Sequence, residues 1–293
     1  MPVLFCFGLG FSARALAARL QAPAGARPPG WGIVGTCRSL EKAAACAAKG
    51  WDMHVFDGTA PLADPSVLAP ATHILVSVPA DEDGDAVLRL HGADIAGLPN
   101  LKWLGYLSTT GVYGDRGGAW VDETSDLRPT QPRSIRRAAA EAGWLALHRD
   151  HGVPVHVFRL AGIYGPGRSQ LDSLREGRAR RMVKPGQVFC RIHVDDIAAV
   201  LQASMARPDP GAIYNVADDE PAPPQDVVAY AADLLGLPLP PETPYDESAL
   251  TPMQASFYGD NRRVRNGRNK TELGVTLRYP TYREGLRALL SSS

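Results

Sequence analysis

The chain opens with VLFCFGLGFSARALAARL, an apolar run, a turn carrying Gly8 and Gly10, and then apolar residues at helical spacing. Few local patterns constrain a fold more tightly, because a strand that enters a helix through G-x-G-x-x-A has a specific geometry to satisfy. Gly8 permits the tight turn, Gly10 lets the backbone come close to a ligand, and Ala13 is small enough for the helix to sit against the strand. Glycines punctuate any tight strand-to-helix turn. Here the turn also begins a strand–helix–strand unit, the context in which such a turn holds paired phosphates at the helix N-terminus. Gly8, Gly10, Phe11, Ser12 and Ala13 are therefore candidate dinucleotide-binding residues.

The pattern repeats in coarser form over the first 165 residues. Apolar runs at Val3–Phe7, Gly32–Thr36, Met53–Phe56, His73–Val78, Trp103–Ser108 and Val155–Arg159 read as strands. Helical patterns fall near Ser12–Leu20, Leu40–Lys49, Asp85–Leu90 and Pro132–His148. The runs are rich in Val, Ile and Leu without polar alternation, as strands covered on both faces are. The expected fold class is α/β, a doubly wound parallel Rossmann sheet with a smaller C-terminal α/β substrate domain. Past residue 165 prolines crowd DDEPAPPQD and GLPLPPETP, basic residues crowd Arg175–Lys184 and Arg262–Lys270, and one helix is expected over Gln225–Leu235, stopped by Gly236 and Pro238.

Composition excludes some partners. The 293 residues carry 31 basic and 31 acidic side chains, a formal net charge of zero, which gives no general attraction to nucleic acid or an anionic membrane. No apolar run approaches the ~18 residues of a transmembrane helix, and no basic residues precede the first apolar stretch. Cys6, Cys37, Cys46 and Cys190 show neither metal-ligand spacing nor a disulfide framework. A cytoplasmic setting is expected. His193, Asp195 and Asp196 are better explained by a helix start, where either aspartate can cap, than by a metal. Arg175, Arg178, Arg180, Arg181 and Lys184 read as a solvated charge run.

The second strand identifies the dinucleotide. An NAD site expects a carboxylate at its end for the ribose 2′-hydroxyl, whereas a 2′-phosphate prefers a cation. GIVGTCRSLEK offers Arg38 and Ser39 there, and no carboxylate before Glu41. NADP(H) is favoured over NAD(H).

CFGLGFSA, YLSTTGVYGD, PRSIRRAAAE, FRLAGIYGPGR, RIHVDDIAAVL, YNVADDEP and LGVTLRYPTYREGL occur in that order over nearly the whole chain. The set resembles the extended short-chain dehydrogenase/reductases, relatives of NAD(P)-dependent epimerases and dehydratases of nucleotide sugars. The resemblance implies a Rossmann domain over residues 1–165 with residues 190–207 returning to it, an interleaved substrate-binding domain over 166–293, and a small-molecule substrate in the cleft between them. It also implies a possible homodimer. By position it assigns Asp57 and Gly58 to the adenine turn, and Ser77, Val78 and Pro79 to backbone lining the cofactor. Thr109 falls where the family orients the reacting oxygen.

In such enzymes a tyrosine exchanges a proton with the substrate, and a lysine four residues later lowers its pKa and grips the nicotinamide ribose. Registered on Glu141, this chain carries Arg133 at the tyrosine and Arg137 at the lysine. Arg137 can still bind ribose hydroxyls. Arg133 cannot act as an acid, because a guanidinium with a pKa above ~12 keeps its proton near neutrality. It can bind an anionic substrate group or a developing alkoxide. The i, i+4, i+8 row Arg133, Arg137, Glu141 fits a solvated helix face equally well. Tyr113, the only tyrosine between Thr109 and Glu141, is a candidate acid/base, and Tyr164 a weaker one. Two readings follow: an atypical NADP(H)-binding, epimerase/dehydratase-like oxidoreductase acting on a small, possibly anionic, carbonyl or alcohol, or a catalytically silent cofactor-binding sensor.

Overall fold

The computed structural model of the chain describes residues 1–22, 30–47 and 50–291. The end of the helix expected to reach Lys49, and the last two serines, lie outside those residues. In chain order the first half runs β1 (Val3–Phe7), α1 (Phe11–Gln21), β2 (Gly32–Cys37), α2 (Leu40–Ala47), β3 (Asp52–Val55), β4 (His73–Val76), α3 (Ala86–Ala96), β5 (Trp103–Thr109), β6 (Trp120–Val121) and α4 (Pro132–His151). There follow β7 (Val155–Leu160), β8 (Gly162–Tyr164), α5 (Gln170–Arg175), β9 (Arg181–Val183), β10 (Arg191–His193), α6 (Val194–Ala206) and β11 (Ile213–Val216). The chain closes with α7 (Pro224–Leu235), β12 (Glu242–Pro244), α8 (Pro252–Tyr258), β13 (Arg263–Val264), α9 (Gly267–Glu272) and α10 (Tyr282–Ser291).

Two compact units share these elements. One is drawn from Met1–Thr109, Pro132–Arg159 and Ile197–Tyr214, the other from Thr110–Gln131, Leu160–Asp196 and Asn215–Ser293.

A seven-stranded sheet has the order β11-β7-β5-β4-β1-β2-β3, and from β3 through β2, β1 and β4 to β5 the neighbours pair in parallel. This is a doubly wound α/β sheet. The chain moves outward from β1 to β3 and then crosses back to β4, so β1 and β4 flank the point where winding reverses. In open sheets of this kind, ligands bind outside the strands' carboxyl ends at such a point. Every residue of β4 (HILV) and β7 (VHVFRL) is buried, as expected of strands covered on both faces. Phe5, Phe7, Ile74, Val76, Leu104, Tyr106, Val155 and Val157 form the core, with Trp144 of α4 buried against it.

Several expected boundaries move. β4 stops at Val76, and the Ser77 amide instead donates to the Phe7 carbonyl at 3.0 Å. α3 begins after Asp85, whose carboxylate accepts the Leu88 N–H at 2.9 Å, and runs to Ala96, well past Leu90. Its apolar spacing is weak, so the sequence pattern ends early. The strand β11 was not anticipated. Its four residues, IYNV, are too few to show a period.

The second unit gathers α5, α7 and α10 around Tyr164, Leu171, Val227, Ala231, Tyr282 and Leu286. Gly285 is obligatory here, since a Cβ at that position would lie 2.0 Å from the Tyr164 hydroxyl oxygen. Three short parallel pairs complete it: β8 with β10, β9 with β12, and β6 with β13.

Candidate functional site

The glycine turn sits at the reversal point. Gly8 takes φ +84°, its N–H donates to the Thr36 hydroxyl at 2.8 Å, and the Leu9 N–H donates to the Thr36 carbonyl at 2.9 Å. From the end of β4, Ser77 Oγ donates to the Gly8 carbonyl at 2.5 Å. A side chain at Gly8 would come within 3.0 Å of that Oγ, whereas one at Gly10 would meet no atom within 4 Å. Gly10 thus faces open space at the start of α1. That helix has no side-chain cap and no acidic residue in its first turn. The positive end of its dipole therefore meets no carboxylate from its own first turn. Ser12 and Ala13 are buried. The arrangement fits a dinucleotide's paired phosphates.

Around it lie the other expected cofactor residues. Arg38 is exposed, directly after β2. Ser39 starts α2: its Oγ accepts the Lys42 N–H at 3.4 Å, and its carbonyl accepts the Cys37 thiol at 3.2 Å. Asp57 is exposed and accepts both the Thr59 hydroxyl (2.7 Å) and the Thr59 N–H (2.9 Å), bonds that hold its carboxyl below the usual range. Gly58, at φ +88°, is buried, and its carbonyl accepts from Arg89 at 3.2 Å. Val78 is half-buried and Pro79 exposed.

The row on α4 is not a solvated face. Arg137 Nη1 donates to the Leu107 carbonyl at 2.6 Å and the Tyr106 hydroxyl at 3.1 Å, with the guanidinium 5.6 Å from the Tyr106 ring centre. Burial lifts that phenol's pKa to about 12 in spite of the cation. One turn on, Glu141 is 2% exposed. It accepts from Arg159 Nη2 at 2.8 Å and Nε at 3.1 Å, and from the Ser108 hydroxyl. A glutamate used only to set register proves to be one half of a buried ion pair tying α4 to β5 and β7. The signal was available in VHVFRL, since a charged side chain in a fully buried strand requires a partner. Thr109, ending β5, and Arg133, in the first turn of α4, are both half-buried.

In the second unit, Tyr113 is fully buried and its hydroxyl donates to Asn215 Oδ1 at 2.7 Å. Tyr164 is buried too, its hydroxyl reaching the Thr281 carbonyl at 3.4 Å, and burial raises its pKa strongly. Asp196 caps nothing in its own helix. Its two oxygens accept the N–H groups of Arg278 (2.7 Å) and Tyr279 (3.0 Å), fastening the segment before α10. The basic run is only partly solvated: Arg181 pairs with Glu242 at 2.8 Å, and Lys184 donates to the Tyr258 carbonyl at 2.5 Å. Among the described residues no helix is long and apolar enough to cross a membrane.

Known proteins resemble this arrangement. The sequence profile of the NAD dependent epimerase/dehydratase family matches residues 90–217. Protein YeeZ of Escherichia coli K12 is 29% identical over 93% of this chain and 94% of its own. A solved, functionally unknown conserved protein from Silicibacter pomeroyi is 52% identical, with a TM-score of 0.90 over 100% of this chain and 99% of that one. The fold is shared with dTDP-glucose 4,6-dehydratase from Bacillus anthracis, at 18% identity and a TM-score of 0.77 over 100% of this chain and 97% of that one. Over residues 90–217 the chain thus matches the epimerase/dehydratase family, and it shares the fold of that dehydratase.

That family is one of nicotinamide-dependent enzymes, and this epimerase/dehydratase relative keeps the glycine turn while presenting arginines at positions 133 and 137. The α4 end of its candidate site is held by Arg137 on the β5 backbone and by the buried Glu141–Arg159 pair.

Proposed function

We propose that the chain binds NADP(H) and acts as an atypical epimerase- or oxidoreductase-type enzyme on a small carbonyl or alcohol that carries a negative charge. The observation that carries this reading is the N-terminus of α1, with no side-chain cap and no acidic residue in its first turn, opening beside Gly8 and Gly10. Preference for the phosphorylated coenzyme rests on the exposed Arg38, whose guanidinium matches a 2′-phosphate with paired N–H donors. Asp57 and Gly58 would border the adenine, and Ser77, Val78 and Pro79 the middle of the cofactor.

When bound, the nicotinamide supplies or takes up hydride. The residues of this chain do the rest. The Thr109 hydroxyl orients the reacting oxygen. Arg133 binds the substrate's charge or stabilises a developing alkoxide, an electrostatic role that needs no proton release. Arg137, anchored through Nη1, turns its remaining donors toward the nicotinamide ribose. A buried Tyr113 hydroxyl already engaged by Asn215 suits packing, so proton transfer falls to water or another group.

The same buried phenols favour a second reading, a cofactor-binding sensor without catalysis. Calorimetric titration with NADPH and NADH, followed by assays against a panel of carbonyl compounds, separates the two. Tight NADPH binding with hydride transfer supports the enzyme. Binding without any transfer supports the sensor, and absence of binding to either coenzyme removes both.

A further inference from the structure

A pocket of about 160 Å³, open to solvent on one side, is formed by residues of the second unit. Its walls include Leu171, Asp172 and Arg175 of α5, His193 and Asp195 where β10 meets α6, and Leu289 of α10. It has room for one small organic molecule.

His193 is the telling residue. It is 1% exposed, with the rings of Tyr279 and Tyr164 centred 4.2 and 5.1 Å away. Its Nδ1 accepts the Asp195 N–H at 3.1 Å, so the neutral ring carries its proton on Nε2. Burial lowers its pKa and keeps the ring neutral near pH 7. Among the described residues Nε2 has no hydrogen-bond partner. A buried donor without an acceptor is unfavourable, and a bound acceptor relieves that cost.

The charged walls carry both signs. Arg175 is exposed at the rim. Asp172 accepts the Ser169 hydroxyl on one oxygen at 2.6 Å, and Asp195 Oδ2 stands 4.0 Å from Arg278 Nη1. A simple anion entering here meets two carboxylates, and a simple cation meets a guanidinium and an N–H donor. A molecule with both charges answers all four, while Leu171 and Leu289 offer apolar surface.

We propose that this cavity binds a small zwitterion, an α-amino acid with a short aliphatic side chain. Its carboxylate lies on Arg175 and His193 Nε2, and its ammonium on Asp172 and Asp195.

The test uses the full chain labelled with ¹⁵N-histidine and titrated with L-alanine, with acetate and methylammonium as single-charge probes. The His193 Nε2 resonance is expected to move saturably with L-alanine, and at equal concentrations neither single-charge probe should reproduce the shift. Arg175→Gln and Asp195→Asn should each weaken alanine binding at least tenfold, with melting curves showing both variants folded. An unmoved His193 signal overturns the proposal. So does acetate alone matching alanine, or both variants binding as the parent does.

Discussion

Arg38 projects into solvent just past β2, and a single substitution reads its role. Arg38→Ala should raise the Kd for NADPH about tenfold, the lower end of a charge-assisted hydrogen bond, and leave NADH binding unchanged in calorimetry. Asp218 poses a different problem. It is 1% exposed, and neither carboxylate oxygen has a hydrogen-bond partner among the described residues. Burial pushes its pKa well above the ordinary carboxyl value, although the Arg191 charge opposes the shift. A carboxyl with a raised folded pKa holds its proton more tightly in the native state. Its contribution to stability is therefore complete below the unfolded pKa and is lost as pH rises toward the folded one. Asp218→Asn should remove that slope, flattening the dependence of stability on pH between the ordinary carboxyl range and neutrality in urea unfolding across pH. At this scale the geometry of the glycine turn was legible in the sequence because its cause is local. The partners of Glu141 and Tyr113 were not, since they lie 18 and 102 positions away.

α4 is anchored by polar contacts as well as by its apolar stripe. Glu141→Gln leaves the Arg159 guanidinium buried without its counter-charge, and a loss of about 3–5 kcal/mol is expected in chemical denaturation. α10 presents the opposite case, a place with no room. Helix propensity alone would make Gly285→Ala stabilising by up to about 1 kcal/mol. The Tyr164 hydroxyl 2.0 Å from the new methyl makes overpacking the larger effect, at about 1–3 kcal/mol, so the variant should melt at a lower temperature. Most elements of the parallel sheet could be read from apolar runs bounded by turns. The exceptions have physical reasons: β11 is four residues long, and α3 owes its length to its Asp85 cap and to packing rather than to a clear period.

For the molecule as a whole, a ligand that binds only the native state adds stability in proportion to its saturation. NADPH at a hundredfold excess over its Kd should contribute about 2.7 kcal/mol and raise the melting temperature by several degrees, with Arg38→Ala shrinking that rise at equal concentration. The two compact units place a further demand on the chain, because each is assembled from three separated stretches. The sheet takes its last strand from Ile213–Val216, long after its first at Val3–Phe7. A ribosome must therefore translate beyond Val216 before the sheet can close, and during that interval β7 lacks its outer neighbour. Any nascent fragment halted earlier would present that bare rim to chaperones or to other unfinished copies.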